Sequence, residues 1–129
     1  MQARQFYSRV SVEADIESLE DARQAAAAVL RALRDRLTVE EAAHASAQLP
    51  RELKRLWAGG HRPSRRPLKL RRREFLERVR VDAGLDSLNQ AERVTDAVFA
   101  GLKDQLSEGE AGDIVAQLPR DLKTQWVRA

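Results

Sequence analysis

The sequence predicts an all-α fold: about eight helices in two pseudo-symmetric four-helix repeats that form one compact domain. Three observations carry this reading. Shifting the chain by 69 residues aligns Phe6–Trp57 with Phe75–Trp126 without a gap, and 23 of the 52 pairs are identical. Apolar residues recur at spacings of three and four, the period of a helix packed along one face. Alternating β-branched runs and Asn-Gly or Asp-Gly hairpin turns, the marks of strands, are missing from the sequence.

The first helix of each repeat rests on Phe6, Val10 and Ala14, matched by Phe75, Val79 and Ala83. Ser18 with Asp21, and Ser87 with Gln90, set the start of the second: a hydroxyl N-cap, with a side chain three residues on that can reach back. Its apolar stripe is Leu19, Ala22, Ala26, Val29 and Leu33 in one repeat and Leu88, Ala91, Thr95, Val98 and Leu102 in the other. The run Ala25–Ala28 reads as a close helix–helix contact. Thr38-x-x-Glu41 and Ser107-x-x-Glu110 have the form of capping boxes and open the third helix. Pro50 and Pro119 then start the fourth, because a proline in the first turn loses no hydrogen bond. Leu53 and Trp57, or Leu122 and Trp126, face the core, and Gly59-Gly60 stops the helix in a left-handed C-cap. The phrases AQLPRELKRLW and AQLPRDLKTQW are therefore the same helix–turn–helix corner, once per repeat.

A chain of 129 residues is long enough to bury its own core. It divides into repeat one at 4–58, an arginine-rich linker at 59–70 and repeat two at 71–127. Solenoid arrays need about three or more repeats, so two copies are expected to close on each other through a near two-fold axis. There is no cysteine, which excludes disulfides and thiolate metal sites. Neither a signal-peptide core nor a run of about 20 apolar residues is present, and a soluble cytoplasmic protein is the default expectation.

Net charge is +3, but residues 58–74 alone carry +6, against −1 for Phe6–Trp57 and −4 for Phe75–Trp126. The positive character belongs to the linker.

The repeated FL-x-x-V, LKDQLSEGEAGDIVAQLPRDLK and W pattern, with the inter-repeat stretch LWAGGHRPSRRPLKLRRREFL, resembles the bacterial domain of unknown function 2267 family. The resemblance covers nearly the whole chain. It implies a two-repeat helical domain and brings no catalytic residues with it.

Glu41-x-x-His44 has the spacing that di-iron helix bundles use, but such a centre needs the pair twice and further glutamates. The second repeat offers Glu110 and Asp113 instead, Glu41 is accounted for by its capping box, and His44 lies off the apolar stripe of Ala42, Ala45 and Leu49. No metal site is expected. His61 sits alone in the linker. The carboxylate pairs Glu40-Glu41 and Glu20-Asp21 fit helix N-termini, where negative charge is favoured. Phosphate loops, nucleophile elbows and zinc spacings do not occur, so neither an enzyme nor a cofactor is expected. Trp57 and Trp126 read as core rather than as a stacking pair.

Only the linker carries a functional alternative. Arg62, Arg65, Arg66, Lys69, Arg71, Arg72 and Arg73 could grip nucleic acid or another polyanion. The preferred reading is a connector kept extended by its prolines, with some arginines paired to the acidic second repeat. The expectation is a non-enzymatic helical module that binds another protein or itself, in an interaction or regulatory role. Polyanion binding is the alternative, and no membrane is involved.

Overall fold

The computed structural model describes residues 3–62 and 65–129; Pro63 and Ser64 of the linker lie outside the described residues. Eight helices occur there: α1 (Ala3–Glu13), α2 (Leu19–Arg36), α3 (Val39–Ala47), α4 (Arg51–Ala58), α5 (Arg72–Ala83), α6 (Leu88–Gln105), α7 (Glu108–Ala116) and α8 (Arg120–Arg128). No strand occurs among the described residues. The bounds of α6 and α7 stand 69 residues after those of α2 and α3.

The two 18-residue helices form the centre. α2 packs on α1, α4, α5 and α6, and α6 packs on α1, α2, α5 and α8. α1 and α2 therefore each meet second-repeat helices, and a single core results. Ala22, Ala25, Ala26 and Val29 are wholly buried, so the alanine run does let neighbouring helices come close. Phe6 from α1 and Phe75 from α5 are buried at matching places. Gly101 stands where the first repeat has Ala32, and a Cβ there would strike the Phe6 ring.

Two ion pairs between the repeats are related by the same offset. Arg78 of α5 bonds Asp35 of α2 at 2.7 Å, and Arg9 of α1 bonds Asp104 of α6 at 3.1 Å. Within each repeat a cation on the second helix ties down the fourth: Arg34 Nη1 donates to the Trp57 carbonyl and Lys103 Nζ to the Trp126 carbonyl, each at 2.7 Å.

The starts of α3 and α7 differ from the capping-box reading. Thr38 and Ser107 hydroxyls do accept from the Glu41 and Glu110 N–H groups. The reciprocal half is not made by those glutamates. The Thr38 N–H donates to Gln117 Oε1 at 2.9 Å, and the Ser107 N–H donates to Gln48 Oε1 at 2.8 Å. Each glutamine of the QLP corner caps a helix of the other repeat. A carboxylate reaching back along its own helix is replaced by an amide from the facing one, which leaves Glu41 and Glu110 for other duty.

One smaller departure is local. Leu19, placed on the α2 stripe, lies in the first turn and is 38% exposed. At the end of α4 the Gly59-Gly60 pair does stop the helix, with Gly60 in the left-handed region (φ 72°). A Cβ at Gly59 would meet the Arg31 guanidinium, which would have to swing aside. Both tryptophans are core residues at 3% exposure: the Trp57 ring N–H donates to the Ala42 carbonyl, and Trp126 lies 5.0 Å from the Phe99 ring.

Candidate functional site

The seven cations of residues 62–73 divide into two groups. Arg65 turns inward, its side chain 10% exposed. Its guanidinium donates to the carbonyls of Arg34 and Leu37 at 2.7 and 2.8 Å, where α2 ends with unsatisfied acceptors. It also sits 3.5 Å from Asp35, and burial pushes its pKa down. Asp35 gathers Arg34, Arg65 and Arg78 around one carboxylate. Burial alone would raise that carboxyl, but hydrogen bonds from Arg34 and Arg78 outweigh it and hold the pKa below the ordinary value. The Leu68 N–H donates to the Asp35 carbonyl at 2.8 Å, so the linker is pinned along the end of α2. Arg72 is engaged as well, with Glu92 at 2.9 Å and Gln125 at 3.1 Å.

Arg62, Arg66, Lys69, Arg71 and Arg73 remain exposed. The Arg71 backbone N–H donates to Glu74 at 3.1 Å. Arg66, Lys69 and Arg71 join Arg36 around a groove of about 510 Å³, floored by Pro67, Leu70 and Pro119. Among the described residues no carboxylate lines it. Arg36 is half-buried, its Nε held by the Leu70 carbonyl at 3.2 Å, and burial lowers its pKa. Pro119 opens α8, so the second LP corner forms one wall. Sequence reasoning found Arg66, Lys69 and Arg71 but not Arg36, which reads as an ordinary cation in the last turn of α2.

A second cluster lies where α3 meets α7. Glu41, His44 and Glu110 each offer a ligand atom within 4.8 Å of the others. Glu41 and Glu110 are each 8% exposed, and Oε2 of each is buried without a hydrogen-bond partner. Burial first, then the facing Glu41, raises the Glu110 pKa to about 8, with Asp113 adding to the effect. The expectation that Glu41 is spent on its own cap is thus corrected. The offset maps Glu41 onto Glu110, and residues at equivalent places on facing helices meet at the seam. His61 stands apart from this cluster, with Nδ1 buried and unpartnered; burial lowers its pKa, and Arg34 and Arg65 lower it further.

No helix among the described residues is long and apolar enough to cross a membrane. Fold and surface together define a helical domain, eight helices among the described residues, that carries a cationic groove beside its linker. The chain belongs to the family described as uncharacterized conserved protein (DUF2267), which it matches over residues 3–128. The resemblance carried by the LP corners and the linker therefore extends over nearly the whole chain. No curated protein matches it.

Proposed function

We propose that this protein is a non-enzymatic cytoplasmic binding module that takes an acidic segment of another protein in the groove between the linker and the second LP corner. The observation that carries the reading is the set Arg36, Arg66, Lys69 and Arg71 around one hollow without a lining carboxylate. Cations turned to a common hollow repel one another, and an anion relieves that cost. The floor of Pro67, Leu70 and Pro119 favours a partner that has apolar side chains between its acids.

Nucleic acid fits less well. A duplex needs cations spread along its backbone, and the acidic second repeat flanks the groove. No aromatic residue interleaves the linker cations to stack bases.

The test is fluorescence anisotropy with two labelled probes: a roughly ten-residue peptide alternating Glu and Leu, and a random-sequence DNA duplex. The peptide is expected to bind, and R66Q/K69Q/R71Q to weaken it by about tenfold or more while helix content stays unchanged. Tighter duplex binding, with a log–log salt slope of about −3 to −4 from about four neutralised phosphates, would establish the polyanion reading instead. Binding of neither probe, or concentration-dependent self-association that the triple variant leaves intact, would overturn the groove.

A further inference from the structure

We infer that Glu41, His44 and Glu110 form a single divalent transition-metal site at the seam between α3 and α7. The argument starts from the two carboxylates. Each belongs to a side chain more than nine-tenths buried, and each keeps one buried oxygen without a donor. Leaving a buried carboxylate oxygen unsatisfied is costly, and setting two carboxylates face to face costs more. The neighbouring polar side chains of the two caps serve the helix starts instead. The Thr38 and Ser107 hydroxyls accept from the Glu41 and Glu110 backbones, and Gln48 and Gln117 are committed to the opposite caps. No arginine or lysine pairs with either glutamate among the described residues.

His44 turns this from an acidic pair into a ligand set. Glu41 and His44 are three apart on α3, hence on one face, and Glu110 comes from the opposite helix. Ligand atoms around one ion at about 2.0–2.2 Å lie about 3–4 Å from each other. A set already within 4.8 Å has to draw together by only about 1–2 Å. Two carboxylates balance a divalent charge, while the imidazole favours zinc over magnesium. Three protein ligands leave a coordination position for water, and the set occurs once, so the centre is mononuclear rather than di-iron. Asp113, at the place equivalent to His44, is the nearest candidate for an outer contact, since its charge is felt at Glu110.

Isothermal titration of the chelator-treated full chain with ZnCl2, MnCl2 and MgCl2 tests the site. One Zn2+ per chain is expected, Mn2+ more weakly in keeping with the usual order of divalent affinities, and no Mg2+. H44A removes an exposed side chain and should fold normally, yet weaken Zn2+ by about tenfold or more. E110Q should abolish binding, and H61A should change nothing. Saturating Zn2+ should raise the melting temperature of the wild type but not of E110Q. Absence of Zn2+ binding up to about 1 mM, a level at which even feeble sites fill, would overturn the site and leave the carboxyls sharing a proton. Binding that H44A leaves untouched would also overturn it, whether or not E110Q folds. Neither result bears on the cationic groove, which shares no residue with this cluster.

Discussion

Asp35 shows how much one residue can organise. Its carboxylate receives Arg34 from its own helix, Arg65 from the linker and Arg78 from the other repeat, while its side chain is only 13% exposed. Replacing it with asparagine removes the shared counter-charge and leaves three guanidiniums crowded together. Loss of one partner from a buried pair costs about 3–5 kcal/mol. D35N should cost about 2–3 kcal/mol in urea unfolding, below that range because Arg34 keeps the Trp57 and Gly59 carbonyls. The pH sign follows from the lowered pKa. The unfolded chain binds this proton more readily, so the stabilisation is present above the ordinary aspartate value of 3.8 and is lost as pH falls through the folded one. Acid titration of the melting temperature should therefore show a steeper fall below pH ~4 for wild type than for D35N. Equal slopes would mean that Asp35 is not ion-paired in solution. Trp126, at 3% exposure against Phe99, predicts a different loss: W126A should cost about 3–5 kcal/mol by denaturant titration. The tryptophans were legible in the sequence because an aromatic four residues after a leucine on a short helix has one apolar place to go. Arg65 was not, because its partners are main-chain carbonyls, and any residue type supplies those.

At the level of elements, helix starts were legible where the cap is local and illegible where it crosses the seam. Ser18 and Ser87 accept from the N–H groups three residues on, as their spacing implies. The Thr38 and Ser107 patterns look the same in sequence, yet half of each cap comes from a glutamine about 60–80 residues away in sequence (separations of 79 and 59). The Gln-Leu-Pro phrase held the answer: its leucine and proline make the corner, and its glutamine caps the facing repeat. Losing a cap bond costs about 0.5–2 kcal/mol. Q48A and Q117A should each destabilise by about 1 kcal/mol, although Gln48 is exposed and would otherwise tolerate truncation. If the glutamates closed their own capping boxes, Q48A would instead be silent. The same oversight counted against the Glu41-x-x-His44 pair, since assigning Glu41 to its own N-terminus left it no role at the seam where it meets Glu110.

Over the whole molecule, the two halves cannot be read as separate bodies. α2 packs on α5 and α6, α1 packs on α6, and the seam adds α3 against α7. Arg9–Asp104, Arg78–Asp35 and the crossed glutamine caps all tie one half to the other. This architecture follows from the repeat itself: one four-helix unit of fewer than 60 residues leaves its apolar face open, and a second copy closes it. The gapless offset made the pairing of like elements legible. Which helices meet across the seam was not, because any of the amphipathic faces could have served as the contact. A shared core predicts shared unfolding. Far-ultraviolet circular dichroism, which follows all eight helices, and fluorescence, which reports Trp57 in one half and Trp126 in the other, should give superimposable urea transitions. Single-tryptophan variants W57F and W126F should each report the same midpoint by fluorescence and by dichroism. R78Q, which cuts one tie between halves, should lower that midpoint for both reporters together. Two midpoints, one per tryptophan, would show that each repeat melts alone, and the common core would then be an association of two domains rather than one.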